Sequence, residues 1–220
     1  MLKASLLFLL MPLTVYAGDW TRLNDGTLNF EGPIGADEFV KFSEVYDERV
    51  KLLIVNSGGG ETSAAMEIGF ALHKGDVAIE VRNWCLSSCA NYFFTGATAR
   101  IINGGIVGFH GNVKACFWGD NWPKTRSELQ EQGLSYEQIE AFHKNMQIQV
   151  ETEQRFLELV GVSQELFDRS CTSDKGMGSD KEYSFLLPTQ KTFEKYGIFN
   201  VVGSQDPKII EEFPGLLVVD

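Results

Sequence analysis

Val81-Arg-Asn-Trp-Cys85-Leu-Ser-Ser88-Cys89-Ala-Asn-Tyr-Phe-Phe-Thr-Gly96-Ala-Thr-Ala-Arg100-Ile-Ile-Asn-Gly-Gly-Ile106-Val-Gly-Phe-His110 is the stretch whose reading decides the fold. It follows Val77 to Val81, a run alternating Val, Ile and Val that reads as a strand. Ser88 then stands at a strand-to-helix junction, bracketed by Cys85 and Cys89. Ala90 to Phe94 is small and then bulky, which predicts a buried helix ending at Gly96. Arg100 to Ile102 and Ile106 to Phe109 are two further short strands, and His110 closes the second.

The same grammar extends upstream. Leu28 to Gly32 alternates apolar and polar residues and predicts a strand. Asp37 to Asp47 places Phe39, Phe42 and Val45 at helical spacing. Lys51 to Val55 is a short apolar strand that runs into Asn56-Ser57-Gly58-Gly59-Gly60. Glu61 to His73 is a helix with Ala65, Ile68, Ala71 and Leu72 on its buried face, closed by Gly75. Strands alternating with helices predict an α/β fold with right-handed crossovers and a mainly parallel sheet.

Downstream the pattern loosens. Gly111 to Gln132 is polar, with Trp118, Trp122 and Pro123, and reads as a long loop. Ser135 and Gln138 form a capping box that opens a helix to Val160. A short helix from Ser163 to Arg169, a Ser/Gly/Asp loop from Cys171 to Asp180 and a strand from Tyr183 to Leu187 follow. A helix from Gln190 to Tyr196 and a strand from Phe199 to Val202 come next. Leu216 to Asp220 reads as a short strand or a docking tail.

Whole-chain properties bound the function. Lys3, the apolar run Ala4 to Val15 and the small-x-small site Val15-Tyr16-Ala17 predict a signal peptide over residues 1–17. The apolar run is too short to span a membrane. Residues 18–220 then form one exported domain, periplasmic or secreted, with no membrane span after cleavage. The formal net charge of -11 repels phosphate backbones and argues against nucleic-acid or anionic-membrane partners. In an exported chain the four cysteines, Cys85, Cys89, Cys116 and Cys171, favour disulfides over metal. Cys85 and Cys89 are suited to local pairing, which leaves Cys116 for Cys171, although three connectivities are open. No histidine stands at zinc-ligand spacing from them, so no metal or other cofactor is expected.

Serine becomes a nucleophile when a neighbouring base takes its proton, and histidine is the usual base. Parallel strands end on one side of a sheet, so Ser88, His110 and the glycines after Val55 converge on one edge. Gly59, Gly60 and the amide of Cys89 are the candidate oxyanion donors, because glycine leaves backbone N–H groups open to approach. His73 and His143 fall on helices and read as structural.

Leu53 to Gly60, the small-residue helix after it, Ser88-Cys89-Ala90 and Phe109-His110 together resemble the Clp-type serine proteases of the Clp protease/crotonase superfamily, in an exported Clp-protease-like branch. The resemblance implies a spiral core of repeated β-β-α units (a ββα superhelix). It also implies Ser88 as nucleophile, His110 as base, and the Gly60 and Cys89 amides as oxyanion donors. Tyr196 to Phe199 is similar to the family's late helix-Gly-strand segment. Gly58 replaces the family proline, and Phe185 falls where the triad acid should stand, leaving Asp180, Glu182 or no acid at all (a Ser-His pair) for that role. Lys114 would be the base in a Ser-Lys variant. The function so implied is a serine endopeptidase acting on peptide or protein substrates, with self-association expected of the family. A non-catalytic member that binds a peptide or partner is the alternative, and acyl-CoA chemistry ranks third.

Overall fold

The computed structural model describes residues 18–171, 184–213 and 215–220. The expected signal peptide and the acid candidates Asp180 and Glu182 lie outside these residues. The chain is an α/β protein built on a seven-stranded sheet in the order β1-β2-β3-β4-β5-β8, with β6 also pairing β4. Strands β1 (Asp19–Asn24), β2 (Thr27–Glu31), β3 (Leu52–Ser57), β4 (Ala78–Leu86), β5 (Arg100–Ile102), β6 (Ile106–Gly108) and β8 (Val201–Gly203) make it up. Every pairing in it is parallel except β1 with β2. A second, two-stranded sheet joins β7 (Phe185–Pro188) to β9 (Leu216–Val219) in parallel.

The first half follows the sequence pattern closely. Helices α1 (Glu38–Val45) and α2 (Thr62–Lys74) and a π-helical segment (Cys89–Phe94) cross between the strands. In β2, Leu28 and Phe30 are buried while their neighbours are partly exposed, as period-two alternation requires. The rings of Phe30, Phe42 and Phe93 close over Trp20 to form the aromatic centre of this half. Among the described residues no helix is long and apolar enough to cross a membrane.

Three readings are corrected. The strand expected over Val77 to Val81 runs on to Leu86, because pairing with β3 and then β6 carries the backbone through the polar Arg82-Asn83 step. The loop expected over Gly111 to Gln132 contains α3 (Val113–Phe117), a 3-10 turn (Gly119–Asn121) and α4 (Trp122–Glu131). Asn112 caps α3, and Pro123 sits in the first turn of α4, where a missing N–H costs nothing. With so few apolar residues, this helical segment has no periodic stripe to announce it. Strand β1 was not expected at all; it is an exposed edge strand joined to β2 through the Asp25-Gly26 turn.

The long helix is α5 (Tyr136–Val160), with the expected Ser135/Gln138 capping box. It is followed by α6 (Gln164–Ser170), α7 (Gln190–Lys195) and α8 (Pro207–Glu212). Leu216–Val219 is a strand rather than a free tail. Cys85 is joined to Cys89 and Cys116 to Cys171.

Arg100 fastens the end of the π-helical segment to the β8 arm. Its buried guanidinium donates to the carbonyls of Phe94 (2.7 Å), Thr95 (2.6 Å) and Phe199 (2.7 Å). Burial lowers its pKa to about 10, which leaves it charged at neutral pH. Arg100→Met would leave the buried carbonyls of Phe94 and Thr95 without their donor and should cost about 2–5 kcal/mol. Urea unfolding of the purified variant measures this.

Candidate active site

Ser87 follows directly on the last residue of β4. Its amide donates to Gly108 at the end of β6 (3.0 Å), and its carbonyl accepts from the Asn91 amide (2.8 Å). The backbone there turns left-handed, with φ of +56°, a conformation that costs a non-glycine residue about 1–3 kcal/mol. This sharp turn aims the Ser87 side chain at His110, whose Nε2 lies 2.7 Å from Ser87 Oγ. The Phe185 ring meets the imidazole edge-on at 5.3 Å.

Ser88, which the sequence reading paired with His110, is engaged elsewhere. Its hydroxyl donates to the carbonyl of Gly60 at 2.8 Å, and its side chain is almost wholly buried. The two serines differ by one position at a reversal of the chain, so only one of them can face the imidazole.

The glycine turn packs against this junction. A Cβ on Gly59 would stand 2.6 Å from both the Leu86 carbonyl and Ser87 Cβ, and 2.9 Å from the Ser88 nitrogen, at a φ of +92°. No side chain fits there. The Gly59 amide is held by Ser57 Oγ at 3.1 Å, while Gly60 borders the open cavity beside Ser88. Of the expected oxyanion donors, Gly60 therefore faces the site and Gly59 shapes it. Cys89 opens the π-helical segment, two positions after Ser87.

Ser87, Ser88 and His110 open into a cavity of about 460 Å³. Its other wall comes from the helical segment after His110: Phe117, Asn121, Lys124, Thr125 and Glu128. The Cys116–Cys171 disulfide is part of the lining. Lys114 does not face this cavity. It lines a separate groove with Leu157 and Tyr196, so it is not placed as a base for either serine. Among the described residues no three His, Cys, Asp or Glu side chains group as a metal site.

Two supporting residues escaped sequence reading. Asn91 donates from Nδ2 to the Gly111 carbonyl (2.7 Å), tying the segment that carries Ser87 to the turn after His110. Glu153, fully buried on α5, accepts from the Tyr92 hydroxyl and from the amides of Val113 (3.3 Å) and Lys114 (3.0 Å). It thereby holds the start of α3 against the cavity floor. The available signal was an acid within the buried stripe of Met146, Val150, Phe156 and Leu157. Burial outweighs the three donors and holds the Glu153 carboxyl above its ordinary range, and the Tyr92 hydroxyl is pushed up as well.

A raised carboxyl favours the folded state when protonated. That contribution is complete below the ordinary value of 4.5 and is lost as pH rises through the folded pKa. The stability advantage of wild type over Glu153→Gln should therefore shrink as pH rises above 4.5. Thermal melts of the two proteins across that range test this.

No family model matches the chain, and no curated protein matches it in sequence. Among solved structures it is similar to 1510-N, a membrane-bound stomatin-specific protease in a serine-to-alanine mutant form. The identity is 13%, over 84% of this chain and 81% of that one, with a TM-score of 0.44.

Proposed function

We propose that this chain is an exported serine endopeptidase of Clp-protease-like fold, with a ββα spiral core and Ser87 as its nucleophile. The observation that carries this reading is the 2.7 Å contact between Ser87 Oγ and His110 Nε2 at a left-handed strand-to-helix turn. In the proposed cycle His110 takes the Ser87 proton as Oγ attacks a peptide carbonyl carbon. The carbonyl oxygen becomes an oxyanion that accepts from the Ser88 and Gly60 amides. His110 then passes its proton to the leaving amine, and an acyl-enzyme remains. Water, deprotonated by His110, attacks that ester and restores Ser87. Asp180 or Glu182 would orient the imidazole from the segment after Cys171.

The shape of the site suits a peptide. The cavity is open on one side, apolar at Phe117 and polar at Asn121, Lys124 and Glu128. A main chain crossing it meets hydrogen-bonding groups and the aromatic surface of Phe117. No cofactor enters the cycle.

A fluorophosphonate probe should form its adduct on Ser87, located by peptide mass spectrometry. Ser87→Ala should abolish labelling, and His110→Ala should slow it at least ~10³-fold. Ser88→Ala should keep most of it, which separates the two serines. A folded protein that takes no label would instead favour a peptide-binding role for the same cavity. If Asp180 orients His110, Asp180→Asn should lower peptide turnover by about 10⁴-fold, while Glu182→Gln leaves it near wild type.

A further inference from the structure

Glu38 is a fully buried carboxylate at the start of α1, and the charge around it is unbalanced. It accepts from the Trp20 indole (2.9 Å), the Gly35 amide (3.0 Å) and the Gly18 nitrogen (3.3 Å). The lysine within reach, Lys41, stands 3.9 Å away and sits closer, at 3.1 Å, to the exposed Asp37. Neutral donors and one shared, distant lysine compensate poorly for a carboxylate with no exposed surface. Gly18 is also buried. A Cβ on it would lie 2.2 Å from the Phe30 ring and 2.9 Å from the Pro33 carbonyl, so only glycine fits against Glu38.

We propose that processing between Ala17 and Gly18 completes this site. The freed α-ammonium of Gly18 becomes the buried counter-ion of Glu38. The inference rests on the export reading, which places the leader-peptidase cut at that bond. In the step, water adds across the Ala17–Gly18 peptide bond. Ala17 leaves with the carboxylate, and the Gly18 amine takes up a proton. A neutral amide donor 3.3 Å from Glu38 is replaced by a cation at the same place.

The pair is wired to the candidate active site. Glu38 holds Gly35, and the adjoining Ile34 is bonded to the glycine turn. Its amide donates to the Gly59 carbonyl (2.9 Å), and its carbonyl accepts from the Glu61 amide (2.8 Å). Release of Gly18 therefore stiffens the support of Gly59 and Gly60 where they face Ser87. Maturation and competence of the site are coupled through two residues of backbone.

The test uses the secreted protein and a chain released with Gly18 at its N-terminus. Mass spectrometry of the secreted protein should find Gly18 first; a different first residue overturns the proposal. Acetylating the Gly18 amine restores an amide and removes the charge without altering any side chain. Acetylation should raise the unfolding equilibrium constant about tenfold or more in wild type, and the effect should disappear in Glu38→Gln. Equal effects in both backgrounds, or none in wild type, overturn the ion pair. Fluorophosphonate labelling of Ser87 should slow several-fold on acetylation; unchanged labelling overturns the coupling. Absence of labelling in every chain defeats the peptidase reading and leaves the stability comparison to judge the pair alone.

Discussion

The structure depends on β4 changing partners along one edge. Ile79 to Val81 pair with β5, and Trp84 to Leu86 pair with β6, while β3 keeps to the other edge throughout. Buried backbone groups must be bonded, so two short strands share the edge that one long strand would otherwise fill. The register with β3 slips between Val55 and Ser57, which pair with Val81 and Cys85 respectively. Across that slip β4 advances by four residues while β3 advances by two. Ser87 follows directly on β4, between the last carbonyl of β6 and the glycine turn that follows β3. Removing either partner of β4 would leave the serine without a position.

Much of this was legible because it is local. Leu28 and Phe30 alternate, Phe39 and Phe42 share a helical face, and the capping box before Tyr136 is a three-residue pattern. The topology follows from their order. Which of Ser87 and Ser88 faces His110 was not legible, because it rests on the sign of one backbone angle. Neighbouring serines have the same chemistry, and the strand's true end at Leu86 was hidden by Arg82 and Asn83. The helices after His110 were hidden for a different reason. They are capped by Asn112, opened by Pro123, anchored by the buried Glu153 and packed through Val113, Trp118 and Trp122, which are too scattered in sequence to form a periodic stripe.

Asn91 and Glu153 show how the site is supported from a distance. Tyr92 and Glu153 are 61 positions apart in sequence, and Asn91 and Gly111 are 20 apart. Each bond joins the segment behind Ser87 to the segment beyond His110, so the serine and histidine are braced from both sides. Such contacts leave no periodic trace, because a single polar residue on a buried face looks the same whether it is a fault or an anchor.

The wall opposite the serines is fixed to α6 at two points. Cys116 on α3 is bonded to Cys171 at the end of α6, and Asn112 and Gln164 exchange a reciprocal pair of amide hydrogen bonds. In mechanical terms α3 and α6 form one lever, since two separated attachments remove the rotation that a single hinge would allow. The next helix, α4, lies beyond both attachments and is tied to α5 by Trp122 and by the Arg126–Glu140 ion pair. The histidine end of the cavity is thus bounded by a braced wall, while Lys124, Thr125 and Glu128 of α4 border it further out.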